Sequence, residues 1–310
     1  MIPSNKKIER MIQIARLYYE EDMTQHLIAQ KLGISRPLVS QLLTEAKSCG
    51  IVSIRINEVE NREALLQHQL LERFGLSNVV VVPDDTTPEE TDRDLASAVY
   101  QYCFQPVANG LHVGLGCGSI LGMVADIADA MPPRPRHTGR IFPLIGGLPG
   151  SSRGLHPNEM VRIFADKAGF QGDFLYAPAI LESENELQAV RNMGLNKNVV
   201  ECWEKMDMAV INLMDFPATE AAADAFQPMP PRSEPVGHVL GHSYSAQGAQ
   251  VPLKVNNIFE ASMTELRKAK QVVAICPSSR NSKALEGAMG LDLIDTLILP
   301  VSMAQKLLNA

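Results

Sequence analysis

Three short stretches of this 310-residue sequence combine glycines, hydroxyls and cations in a way that suits an anion: "VGLGCGSI" (113–120), "GGLPGSSRG" (146–154) and "PSSRNSK" (277–283). Glycines let backbone N–H groups come close to a ligand, and a helix opening at such a loop turns its positive end toward it. The first stretch is not a nucleotide fingerprint. Counting from Gly114, Ser119 stands where G-x-G-x-x-G needs its third glycine, and no Lys-Ser or Lys-Thr pair follows to make a P-loop. What remains is a compact cradle for one phosphate-sized group, with the Ser119 hydroxyl beside it. Arg153 brings charge to the second stretch, and Arg280 and Lys283 to the third. Any one of these clusters is as readily a tight turn without a ligand; three on one face of one sheet favour a site.

Those loops need a scaffold that brings them together. Strand-like apolar runs occur at 78–83, 111–116, 140–147, 173–179, 208–214, 271–276 and 295–300. Such continuous runs mark strands buried on both faces. Helical stretches lie between them, at 64–74, 91–104, 119–130, 157–168, 184–205 with a break near Gly194, 262–269, 281–289 and 301–308. The alternation predicts a Rossmann-like α/β body, a largely parallel sheet flanked by helices, with ligands beyond the carboxyl ends of the strands. "VGHVLGHSYSAQGAQVPL" (236–253) interrupts the rhythm and reads as a hairpin insertion, while the Pro-rich segments 132–137 and 228–235 read as loops.

The first fifty-odd residues follow a different grammar. Residues 8–20 place Ile8, Met11, Ile12, Ala15 and Tyr19 at helical spacing. Thr24 then caps a short helix burying Leu27, Ile28 and Leu32, Gly33 supplies the left-handed turn residue, and Ile34 plugs the angle. Ser35 caps the next helix, Pro37 sits in its first turn, and Val39, Leu42, Leu43 and Ala46 form its buried face. This is a helix-turn-helix, the unit that places a second helix in the major groove of DNA. Left outside on that helix are Arg36, Leu38, Ser40, Gln41, Thr44 and Lys47, where Arg and Gln suit base edges and Ser, Thr and Lys suit phosphates. "GIVSIRI" (50–56) reads as a wing strand.

Composition sets the outer limits. Hydrophobic residues make up 45% and charged residues 20%, ordinary values for globular domains. No apolar run approaches the roughly 18–20 residues that span a bilayer, and "MIPSNKKIER" lacks the apolar core of a signal peptide, so a cytoplasmic, non-membrane protein is expected. The five cysteines are scattered without a C-x-x-C pair, so neither disulfides nor a metal or other cofactor is implied. The net charge of −7 divides unevenly: residues 1–56 carry eight Lys/Arg against five Asp/Glu, net +3, leaving −10 on the remainder. A basic head on an acidic body fits a head that meets a polyanion. Two domains follow, 1–57 for DNA and 58–310 for an effector and oligomerisation.

The head, Tyr18 to Ile56, resembles the SorC-type family of bacterial transcriptional regulators. So does the body, through "VGLGCGSILGMVADI", "LIGGLPGSS", "LYAPA", "GHVLGHSYSAQG" and "VVAICPSSRNSKALEGAMGLDLIDTLILP", in that order. The resemblance implies a winged helix-turn-helix joined to an effector domain related to sugar-phosphate isomerases, with a sugar or sugar phosphate as effector and operator DNA as partner. The helix-turn-helix reading gives DNA contact to Thr24, Ser35, Arg36, Pro37, Ser40, Gln41, Thr44 and Lys47; the ligand residues follow from the resemblance by position. Phosphate would fall to Gly116, Cys117, Gly118 and Ser119 with Arg153 and Lys283, and the sugar to Gly146, Gly147, Tyr176, Ala177 and Pro178. His238 stands where the family carries an acid, and marks a specificity position; Asp215 is placed to accept from ligand hydroxyls. A homodimer or homotetramer is expected from paired operator half-sites, with the sheet edges and the 60–75 helix as candidate contacts. The alternative is an isomerase-like enzyme with an added head, which would need a positioned carboxylate base; Glu159 and Asp215 lie nearest the loops, and neither has a His or Lys partner in the sequence.

Overall fold

The structure, a computed structural model, describes residues 5–49, 51–52, 62–105, 110–148, 156–216, 234–253 and 257–310. It divides into two compact units, Met1–Glu60 and Asn61–Ala310. In the first, α1 (Asn5–Tyr19), α2 (Gln25–Leu32) and α3 (Arg36–Ser48) enclose a small core of Met11, Ile14, Leu17, Ile28, Ala29, Val39, Leu42, Leu43 and Ala46. The Thr24 hydroxyl accepts from the Leu27 N–H and the Ser35 hydroxyl from the Leu38 N–H, both at 3.4 Å. Gly33, at φ 62°, turns the chain between the two helices. The apolar face of α1 is rotated from the one its spacing suggested: Ile12 and Tyr19 are 39% and 37% exposed, while Ile14 and Leu17 are buried. Leu27 likewise lies outside, at 47%. These helices carry more apolar residues than one stripe can hold, so spacing alone admits two phases. The wing reading lies outside the described residues beyond Ile51 and Val52, which form a bend.

The second unit is an α/β layer structure. Its strands are β1 (Asn78–Val82), β2 (His112–Leu115), β3 (Arg140–Pro143), β4 (Gln171–Gly172), β5 (Met208–Asn212), β6 (Met214–Asp215), β7 (Gly237–Val239), β8 (His242–Tyr244), β9 (Gln271–Ile275) and β10 (Thr296–Pro300). Its helices are α4 (Arg62–Phe74), α5 (Pro88–Cys103), α6 (Ser119–Ala130), α7 (Pro157–Ala168), α8 (Glu184–Arg191), α9 (Gly194–Trp203), α10 (Met263–Lys268), α11 (Ser282–Met289) and α12 (Val301–Asn309). Seven strands form one sheet in the order β1-β10-β9-β5-β2-β3-β4, and every neighbouring pair is parallel. Strands β6, β7 and β8 form a small antiparallel sheet, the predicted insertion.

The order of strands fixes where a ligand belongs. From β2 the chain proceeds to β3 and β4 on one side; from β5 it reaches β9 on the other. Adjacent strands whose outgoing connections diverge leave a crevice between their carboxyl ends. Here those ends are Leu115, leading into Gly116–Ser119, and Asn212, leading into β6.

One expected strand is not formed. Residues 173–179 were predicted to extend as a strand, but pairing ends at Gly172 apart from an isolated bridge between Gly147 and Pro178. Side-chain amides take the backbone groups instead. Asn158 accepts from the Leu175 N–H at 3.0 Å and donates to its carbonyl at 2.8 Å, and Asn196 accepts from the Tyr176 N–H at 2.8 Å. Asn side chains readily mimic a neighbouring strand in this way.

Candidate functional site

At the switch point, the glycine turn and the end of β5 face each other. Gly116 donates its N–H to the Val210 carbonyl at 2.8 Å, which binds the turn to β5. Gly118 follows at φ 138°, ψ 166°, and no side chain caps α6, which begins at Ser119. Its first-turn N–H groups are therefore available to an acceptor from outside the helix. A Cβ on Gly118 would lie 2.1 Å from Nδ2 of Asn212, so only glycine fits against that amide. Asn212 is 1% exposed, and among the described residues neither its Oδ1 nor its Nδ2 has a hydrogen-bond partner. Buried amides are almost always bonded, so an orphaned one beside an uncapped helix points to a ligand.

Three residues beyond Asn212, a second group of polar side chains gathers about Asp215. Asp215 accepts from the Asn281 N–H at 3.1 Å and stands 3.7 Å from Nη1 of Arg280. Among the described residues, neither the buried Nε of Arg280 nor the hydroxyl of the wholly buried Tyr244 has a hydrogen-bond partner. Burial, with the charge of Asp215 nearby, pushes the Tyr244 phenol far up, so it is a neutral hydroxyl. His238 is 5% exposed, a hairpin residue facing inward. Its Nδ1 lies 2.7 Å from the Leu240 carbonyl, which can only accept, so Nδ1 carries the proton. Burial, reinforced by the Arg280 charge, holds its pKa below the usual imidazole value and keeps the ring neutral. Cys117 is buried; burial and the Glu260 carboxylate push its thiol up to about 12, so it packs as a small apolar group and not as a thiolate.

Other anticipated residues fall elsewhere. Lys283 is exposed, with its backbone N–H bound to the Asn281 side chain that caps α11. The cation turned inward is its neighbour Arg280, because helix α11 starts only at Ser282. Gly146 and Gly147 serve close backbone packing: a Cβ on Gly146 would meet the Pro178 carbonyl at 2.8 Å, and the Gly147 N–H donates to Ala177 at 3.0 Å. With Ala177, Pro178, His156 and Asn158, Gly147 lines a cavity of about 440 Å³; Tyr176 is 59% exposed. A further cavity, about 550 Å³, lies beside the hairpin and is walled by His242, Glu260, Arg191 and Gln250 among others. Arg153 lies outside the described residues. Sequence reading missed Asn212 and Tyr244. The available signal for Asn212 was a lone amide closing the apolar run "MAVIN" at a strand's carboxyl end. Among the described residues, no group of three or more His, Cys, Asp or Glu side chains could hold a metal.

On the head, Arg36, Ser40, Gln41, Thr44 and Lys47 are all exposed on α3, as is Pro37. Thr24 and Ser35 act as helix caps.

Neither nearby carboxylate is arranged as a base. Glu159 is bound by Arg162 through Nε at 3.0 Å and Nη2 at 2.8 Å, and Asp215 is held by Arg280 and the Asn281 N–H. The comparisons with known proteins point the same way. A family described as "Putative sugar-binding domain" matches residues 60–309, and "Sigma-70, region 4", a helix-turn-helix, matches residues 9–48. The sorbitol operon regulator of Klebsiella pneumoniae is 28% identical over 97% of this chain and 98% of its own. The deoxyribonucleoside regulator of Bacillus subtilis is 25% identical over 98% of each. Among solved structures, the full-length sorbitol operon regulator SorC from Klebsiella pneumoniae superposes with a TM-score of 0.84 at 24% identity, covering 99% of this chain and all of that one. These relatives carry the names of regulators and not of enzymes, which decides between the two readings of the body. The chain belongs to the SorC-type family of sugar-binding transcriptional regulators.

Proposed function

We propose that this regulator binds operator DNA through α3 and holds a phosphorylated sugar or polyol at the turn between β2 and α6. The observation that supports the effector site most directly is Asn212, a buried amide with both polar atoms unpartnered against Gly118. In this reading the N–H groups of the α6 first turn and Asn212 Nδ2 meet the phosphate, with the Arg280 guanidinium supporting its charge. Asn212 Oδ1 and Asp215 accept from hydroxyls of the sugar, and His238 and the Tyr244 hydroxyl bound its far side. Lys283 adds charge at the rim, and Arg153 is a further cation offered by the sequence. Gly146, Gly147 and 176–178 form an adjoining wall.

Paired half-sites call for a symmetric assembly, a homodimer or homotetramer, and a regulator of operons works in the cytoplasm. No described helix is long and apolar enough to cross a membrane. Ligand binding acts by shifting the population of assemblies whose heads match the operator, which requires different affinities for the two states. The test is a thermal-shift panel on the full chain with inorganic phosphate, glycerol phosphate, a free hexitol and a hexitol phosphate, followed by DNA titration with each binder. A phosphorylated polyol should raise the melting temperature and change operator affinity. A ligand that binds and alters neither operator affinity nor assembly state would overturn the reading.

A further inference from the structure

The recognition helix carries one acid on its outer half, and that acid is engaged. Gln41 and Glu45 are one turn apart on α3, the spacing at which side chains meet. Gln41 donates from Nε2 to Glu45 Oε1 at 3.1 Å, and Lys7 of α1 reaches Glu45 Oε2 at 2.5 Å. The two carboxylate oxygens are thus divided between a cation from the first helix and an amide on the recognition helix. Hydrogen bonds from Lys7 and then Gln41 hold the Glu45 carboxyl below its ordinary range, so it is charged throughout the neutral region.

An ionised carboxylate only accepts. It therefore fixes which end of the Gln41 amide faces it, the NH2 end, and leaves the carbonyl and the second N–H for a base. That edge pairs with adenine, which offers the N6 amino donor and the N7 acceptor. Guanine offers two acceptors, O6 and N7, and a free glutamine can rotate its amide to donate there. At Gln41 the same rotation would set its carbonyl oxygen against the Glu45 carboxylate. We propose that Glu45, anchored by Lys7, is a positioning residue that makes Gln41 read adenine and reject guanine at one position of each operator half-site. The proposal rests on α3 being the base-reading helix.

The test is selection of duplexes from a random-sequence library by the full chain, followed by competition titrations with single-base variants. Gln41→Ala identifies the position read by Gln41 as the one whose preference disappears. At that position Glu45→Gln, whose amide tolerates either orientation of Gln41, should lose about tenfold of the adenine-over-guanine preference while the other positions keep theirs. Overall affinity should rise in the same variant, since one negative charge near the phosphates is removed; a helix-surface pair with a purely structural role would move the melting temperature and not the base preference. Glu45→Ala gives the same loss and serves if Glu45→Gln fails to fold. Retention of the full preference at the Gln41 position in both Glu45 variants would overturn the proposal. So would a Gln41→Ala chain with an unchanged base profile. A wild-type chain that selects no sequence at all would instead refute base reading by α3, which separates that failure from this one.

Discussion

Replacing Asn212 by leucine should stabilise the ligand-free protein and silence its response. The two side chains branch at the same carbon, so leucine fills the same space against Gly118 and in the switch-point crevice. What changes is polarity: Oδ1 and Nδ2 of Asn212 are buried without partners, and each such group costs about 1–3 kcal/mol of desolvation. Relief of that cost, discounted because the two atoms share one side chain, is about 1–3 kcal/mol. The unit holding Asn212 spans Asn61–Ala310, and a domain of that size shifts by roughly 2–4 °C per kcal/mol. The ligand-free variant should therefore melt roughly 2–12 °C above wild type. The wild type recovers the deficit only with ligand, by about 2.7 kcal/mol at a hundredfold excess over Kd. Differential scanning fluorimetry with and without a hexitol phosphate reads both terms at once. Wild type should show a low baseline and a large shift; Asn212→Leu should show a raised baseline, no shift, and intact DNA binding. An Asn212→Leu chain that melts several degrees below wild type and still responds would mean the amide is structural, and the site assignment would fall with it.

Gly118→Ala would put a methyl group 2.1 Å from Asn212 Nδ2 at a φ of 138°; a loss of about 1–3 kcal/mol in denaturant unfolding is expected, together with loss of the ligand shift. His238 has its pKa lowered by burial, so the unfolded chain takes up a proton where the folded one does not. Its contribution to stability is present above the ordinary value of 6.5 and is lost as pH falls below it; melting curves from pH 8 to 5 should fall less steeply for His238→Gln than for wild type. Lys47 is exposed on α3, so Lys47→Ala should weaken binding uniformly across sequences and reduce the salt slope of DNA affinity by about one, measured by fluorescence anisotropy.

What the sequence revealed and what it concealed divide along a physical line. Thr24, Gly33 and Ser35 act within three or four residues of themselves, and their caps and turn stand where local chemistry puts them. The parallel sheet was legible because its strands are buried on both faces. The phase of α1 was not, since Ile12 and Ile14 compete for one face and only packing against α2 and α3 selects Ile14. The missing strand at 173–179 depends on Asn158 and Asn196, which reach it from two different helices. Choosing Lys283 over Arg280 turned on where α11 begins: the Asn281 cap leaves Arg280 in the loop before it and Lys283 in its first turn. Asn212 becomes meaningful only beside Gly118, and nothing local to either residue announces the other.

The brevity of β4 has a consequence for how copies of this chain can join. A strand of two residues offers at most a rung or two of open backbone, and the amide clamps at Leu175 and Tyr176 close off the stretch beyond it. Sheet-to-sheet continuation across that border, the route by which many α/β proteins extend a sheet through a twofold axis, is therefore foreclosed. At that border, association has to be built from side chains on helices and loops; the five-residue β1 is the sheet's other edge. Such side-chain contacts can slide or re-pack without breaking a ladder of main-chain bonds, which is the kind of joint the proposed ligand-governed assembly requires.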